Sequence, residues 1–216
     1  MKMRLAATII SLWLVLMLPA REATAAEFQQ NRLHSYLRQG VQSVFNLDHA
    51  EAVSSFQKAV ELDRENPAGY AFLALARLFS YEMSFDAKER EKSLTEMIRH
   101  VGEAAARSEK RVGKNPRDGQ AYFALILVKI VKIRLGLMQK SYFTVAQESI
   151  SLWDCIEKAR AADPGNYDLY FPMGLLHYHI DQLPGVTRFL SSFLITAGDH
   201  EKGIQELELT MQKGDL

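Results

Sequence analysis

The chain has 216 residues, 26 basic and 26 acidic side chains, 48% hydrophobic residues and one cysteine. That length buries a full core in one domain or in one short repeat array. The even charge balance argues against nucleic acid as a partner, because phosphate binding needs a basic surface that releases counterions. The lone thiol excludes a fold stapled by internal disulfides.

Residues 1–25 read as a signal peptide. Lys2 and Arg4 form a basic start, Leu5 to Leu18 an apolar run, and Ala23-Thr24-Ala25 the small residues that a signal peptidase reads. The expected mature domain is 26–216, exported to the periplasm. Loss of Lys2, Arg4, Arg21 and Glu22 leaves 23 basic against 25 acidic residues, so the mature chain stays near neutral. The apolar run is shorter than the roughly 20 residues needed to span a bilayer. Retention of the segment as a membrane anchor is the other reading of it.

Beyond the leader, apolar residues recur at spacings of three and four, and no alternation of period two lasts a strand's length, which predicts an all-α chain. A first helix is expected from Phe28 to Phe45. Asp48 with Glu51 writes a capping box for a second, which runs to Asp63 and carries Ala52, Val53, Phe56, Ala59 and Val60 on its apolar face. Asn66-Pro67 opens a third, because proline at a first helical turn sacrifices only an amide that is unpaired anyway. Asp86 with Glu89 caps a long fourth helix, and Lys114-Asn115-Pro116 ends it. Ala121 to Met138 follows, apolar on most sides but broken by Lys129, Lys132 and Arg134, which predicts a central buried helix in place of a membrane span. Thr144 with Gln147 is the expected cap of the next helix, which holds Cys155 among core positions as an inert buried thiol and ends at Pro164-Gly165. A helix from Tyr167 to Asp181, an irregular apolar stretch after Leu183-Pro184-Gly185, and a last helix from an Asp199 cap to Lys213 complete the chain. Short joins between consecutive helices make them antiparallel hairpins.

"AVELDRENPAGYAFLA" (59–74) and "ARAADPGNYDLYFPMG" (159–174) coincide without a gap at Ala59/Ala159, Asp63/Asp163, Asn66/Asn166 and Tyr70/Tyr170. A third join, marked by Tyr122, lies between them. Self-similarity of this kind is the signature of stacked helical hairpins, whose small residues Ala59, Ala74, Ala159 and Gly174 admit close helix contact and which bury their apolar faces only against neighbours. At these residues the chain resembles the tetratricopeptide repeat (TPR) family. "AEAVSSFQKAVELD" looks like that family's second helix and "NPAGYAFLALA" like the opening of the next repeat, although the joins here are near fifty residues apart where about 34 is standard. The order of "FNLDHAEAVSSFQKAVELD", "YDLYFPMGLLHYHIDQLPGVTRFL" and "AGDHEKGIQELELTMQKGD" is similar to a group of exported bacterial TPR proteins without assigned activity. That group typically continues with further repeats, so the resemblance implies a short or truncated version and a last helix whose Ile204, Leu207 and Met211 have no further repeat to pack against.

A TPR-like α-solenoid implies a scaffold that binds a protein or peptide partner, or a second copy of itself, with no cofactor. Counting from the shared tyrosines, the inward places are Ala71, Leu75 and Leu78, then Phe123, Leu127 and Ile130, then Phe171, Leu175 and Tyr178. None is charged, so a groove built on them holds its partner by apolar contact; the same face is alternatively core, filled by the chain's own "VTRFLSSFLI". The other reading of the chain is a helical metal-binding protein or enzyme using His177 and Asp181, which lie four apart on one helical face while His179 points away. No nucleophile–base order, phosphate loop or Glu-x-x-His pair accompanies them.

Overall fold

The computed structural model describes residues 25, 27–180 and 200–216, and its regular elements are helices, with no strand among the described residues. In chain order they are α1 (27–45), α2 (His49–Leu62), α3 (Pro67–Met83), α4 (Ala87–Lys114), α5 (Gly119–Met138) and α6 (Tyr142–Ala162). A 3₁₀ turn, Tyr167–Leu169, then leads into α7 (Tyr170–Ile180), and α8 (His200–Lys213) follows. The all-α class expected from the periodicity is the observed one. The leader, Asp181, the 183–197 stretch and the Asp199 cap lie outside the described residues, as do the side chains of Leu175 and Tyr178.

Two kinds of turn recur along the chain. The joins α2–α3, α4–α5 and α6–α7 repeat one geometry almost bond for bond. The last helical residue is followed by an extended Asp63, Asn115 or Asp163, with φ of −144°, −137° and −142°. Three residues later Asn66, Asp118 or Asn166 donates its amide back to that residue's carbonyl, at 3.2, 3.0 and 3.2 Å. The side chain of the same residue then caps the next helix, Asn66 accepting from Ala68 N, Asp118 from Ala121 N and Asn166 from Asp168 N at 3.0–3.1 Å. Tyr70, Tyr122 and Tyr170 each stand four residues beyond that cap. The repeated sentence in the sequence is therefore a repeated turn.

The turns inside the hairpins are different. Leu47 and Lys140 take φ of 61° and 56°. Their amides and those of Asp48 and Ser141 close on Val44 O, Leu137 O, Ser43 O and Gly136 O at 2.8–3.1 Å, the Schellman pattern that satisfies the last carbonyls of α1 and α5. This corrects three expected caps. Asp48 and Asp86 do accept from the amides of Glu51 and Glu89, but the reciprocal half of each capping box is absent. The Asp48 amide already serves the Schellman turn, the Asp86 amide donates to Ser84 Oγ, and Glu51 turns its carboxylate to Gln39 and Ser55. Thr144 with Gln147 does not cap α6: the Schellman turn at Lys140 releases the chain earlier, α6 begins at Tyr142 behind Ser141, and Thr144 Oγ1 meets Ser141 Oγ at 2.8 Å.

Packing follows the hairpins, α3 on α4, α5 on α6 and α7 on α8, while α3 also lies against α2 and α5, and α4 against α5. One core layer joins α1, α2 and α3 through Leu33, Leu37, Phe56, Phe72 and Leu73, and reaches α4 and α5 at Ala104, Ala124 and Leu127. A second joins α5, α6 and the start of α7 through Tyr122, Ile126, Leu152, Ile156 and Leu169. A third, smaller layer of Ala74, Leu78, Met97 and Val131 closes the α3–α4–α5 contact. Each fully buried large side chain contributes about 1.5–3 kcal/mol. Ala59, Ala74 and Ala159 are wholly buried, in keeping with their expected place in close helix contacts. Gly174 makes its close contact with α8, where a Cβ would lie 2.8 Å from both Gly203 O and the Leu207 side chain.

Candidate functional site

Of the nine inward positions counted from the tyrosines, Ala71, Leu78 and Leu127 are buried within the core layers, with no more than 3% of their surface exposed. Leu75, Phe123, Ile130 and Phe171 are half-buried. The structure brings Leu75 and Phe123 onto the α1–α3 layer and Phe123 and Ile130 onto the α5–α6 layer, so these side chains bridge neighbouring layers on α3 and α5. Phe72 carries the contact inward, its ring 6.2 Å from that of Phe123. Four of the described side chains at these positions thus keep part of their surface, on α3, α5 and α7.

The three cations expected to keep α5 out of a membrane are paired. Lys129 and Lys132 both reach Glu148 of α6, at 3.3 and 3.1 Å, and Arg134 reaches Glu82 of α3 at 2.6 Å. No helix among the described residues is long and apolar enough to cross a membrane. Cys155 is buried on α6, and burial pushes its thiol above the ordinary range, as an inert thiol requires.

On α4 the buried stripe is partly polar: Ser93, His100 and Ser108 stand among Met97 and Ala104. His100 is 6% exposed, its Nδ1 has no partner, and its Nε2 lies 3.1 Å from Arg99 Nη2. Burial first, and the Arg99 guanidinium second, hold the imidazole down at about 4, against an ordinary 6.5. Because the folded form binds this proton less tightly than the unfolded chain, the neutral ring's contribution is intact above about pH 6.5 and is lost as pH falls towards 4. At about 1.4 kcal/mol per tenfold change in proton affinity, the loss across that window is on the order of 3 kcal/mol. His100→Leu should flatten this part of the stability profile; urea midpoints measured from pH 7 to pH 4 that fall equally in both proteins would place the acid sensitivity elsewhere.

His177 faces α8. It is 1% exposed, its Nδ1 lies 2.6 Å from Glu206 Oε2 of α8, and the Trp153 ring of α6 stands edge-on to it at 6.1 Å. Asp181 lies outside the described residues, and among those described no three His, Cys, Asp or Glu side chains are grouped to hold a metal ion. What the pair does is lock α8 to α7. The sequence carries a signal for it: Gly203, Glu206 and Thr210 recur at three and four, which puts a carboxylate inside the packed face of α8.

A second lock ties the end of α8 to both ends of the helix row. Thr210 Oγ1 donates to Tyr167 O at 3.3 Å, and Lys213 Nζ sits over the Tyr167 ring at 5.1 Å. Asp168 Oδ1 then accepts from the amides of Asp215 and Leu216, at 2.9 and 3.2 Å, while Arg38 Nε of α1 donates to Asp215 O at 2.9 Å. Leu216 packs on the α1–α3 core layer. Neither Asp168 nor Arg38 was singled out by periodicity. Alignment of the three turns does mark Asp168, since the matching places hold Ala68 and Gln120. Compared with protein-family models and with curated proteins, the chain finds no match.

Proposed function

We propose that this chain is an exported, TPR-like helical scaffold that binds a protein or peptide partner and performs no catalysis of its own. The observation that carries this reading is the turn repeated before α3, α5 and α7, which opens three helices from the same backbone geometry. The contacts of α3 with both α4 and α5, and of α4 with α5, support stacking of hairpin on hairpin. The basic, apolar, small-residue order of residues 1–25 supports export. Leu75, Phe123, Ile130 and Phe171 supply an apolar strip on the helices that open the hairpins, with α8 adding Ile204 and Met211 at 39% and 86% exposure.

The test is affinity capture from a bacterial envelope extract on the immobilised chain, followed by the same capture on Leu75→Asp. A partner retained by the parent and lost by the folded variant is the expected result. A partner held equally by both would remove the strip, and recovery of nothing above a blank column would remove the scaffold reading. Circular dichroism of the variant separates lost binding from lost fold, because a carboxylate forced into an apolar layer destabilises it.

A further inference from the structure

The contacts around residues 214–216 are unusual for a helix end. Beyond Gly214, whose amide still closes on Thr210 O at 2.7 Å, the chain leaves the helix, and its backbone is met by side chains from remote elements. Asp168 takes two consecutive amides on one oxygen, Arg38 takes the carbonyl between them, and Leu216 is seated on the apolar layer that holds Tyr36, Val41 and Phe123. Side chains that read backbone amides and carbonyls, with an apolar seat for one residue, are a means by which a short peptide is held through its backbone.

We propose that the space between Arg38 of α1 and Asp168 before α7 is a binding site for a short peptide segment of small–polar–leucine order, and that residues 214–216 occupy it in cis. The class of ligand follows from the contacts. The first position must be glycine or comparably small, since a Cβ on Gly214 would lie 2.6 Å from both Asp168 Oδ1 and Thr210 O. The second is read only through its backbone, and its own side chain is exposed. The third fills the apolar seat. The cis segment is a poor occupant in one respect: Asp215 places a second carboxylate near Asp168, whose carboxyl burial pushes up and which the two amides only partly hold down. An uncharged or basic residue at the second position removes that repulsion.

This inference rests on the scaffold reading but has its own experiment. The probe is a blocked synthetic peptide with the sequence of residues 212–216, and a second peptide with Asp215→Asn, each titrated by fluorescence anisotropy into the full chain. Two variants release the resident segment by different means, Gly214→Val by the clash with Asp168 and Thr210 and Leu216→Asp by loss of the apolar seat. Both should bind the probe at least tenfold more tightly than the parent, and the Asp215→Asn peptide more tightly than the unmodified one. Adding Asp168→Ala to either should abolish the gain. Binding no tighter in the released variants than in the parent, or binding that survives Asp168→Ala, would overturn the proposal and leave residues 214–216 a strap that merely fastens α8. Capture of a partner through Leu75 is unaffected by that outcome, so failure of this site and failure of the scaffold are told apart.

Discussion

Phe56→Ala is expected to cost about 3–5 kcal/mol, the upper end of the range for a buried truncation. Phe56 has no exposed surface, and its ring stacks on Phe72 with centroids 5.1 Å apart and planes 15° from parallel. Phe72 in turn leans on Phe123 of α5, so one ring of α2 supports the contact between α2, α3 and α5. On the other side α1 comes so close that its Gly40 leaves no room for a Cβ against the Phe56 ring. Truncation therefore opens a void between α1 and α3, which cannot collapse without moving both. The reverse change is also harmful. Gly40→Leu pushes a side chain into a ring that Phe72 holds in place, and overpacking of this kind costs about 1–3 kcal/mol, offset in part by the roughly 1 kcal/mol that a helix-interior glycine gives up. Urea unfolding should show both midpoints reduced with an unchanged slope for Phe56→Ala. Parent-like midpoints would mean that α1 and α2 do not share a packed layer.

Glu206→Ala comes next. It leaves the buried His177 Nδ1 without a partner in a place that water does not reach, at a cost of about 1–3 kcal/mol for the orphaned group, with further loss from the cavity. The double change His177→Leu with Glu206→Leu removes both polar groups together and should recover most of the stability, because well-packed apolar side chains replace a buried polar pair at little or no net cost. The cycle thus separates the value of the contact from the penalty of breaking it. Since Gly174 and Leu207 pack on the same α7–α8 contact, the single variant should also loosen α8, visible as faster amide exchange over His200–Lys213. A double variant no more stable than Glu206→Ala would show that the pair is held for shape and not for its hydrogen bond.

Local signals made most of the helical fold legible before any coordinates. Asn66 with Pro67, and Asn166 after Pro164, announced turns because their side chains and ring act on the nearest amides. Lys129, Lys132 and Arg134 correctly marked α5 as a buried helix of a globular chain, although their partners Glu148 and Glu82 lie on other elements and were beyond reach. Thr144 misled because the Schellman turn at Lys140 needs positive φ from a residue that rarely takes it, and nothing in "LMQKSY" says so. The burial of the inward positions was half legible. Counting from Tyr70 and Tyr122 finds Leu75, Phe123 and Ile130, but period alone does not separate Ala71 or Leu127, which face the core, from neighbours that keep some surface. Asp168, Arg38 and Glu206 matter through contacts between elements far apart in sequence, and such contacts leave only an odd residue in an otherwise regular pattern.

The central claim is that the partner is held by the apolar strip on α3, α5 and α7 and not by the evenly charged outer surface. The most direct test is the salt dependence of the association constant between the purified chain and a captured partner, measured by titration calorimetry from low to high salt. Apolar burial is indifferent to screening, whereas exposed ion pairs fade once the Debye length drops below about 10 Å. The account predicts an association constant that stays within about threefold across that range, with the negative heat-capacity change of apolar burial. A constant that falls by powers of ten as salt rises, with Leu75→Asp binding as the parent does, would contradict it.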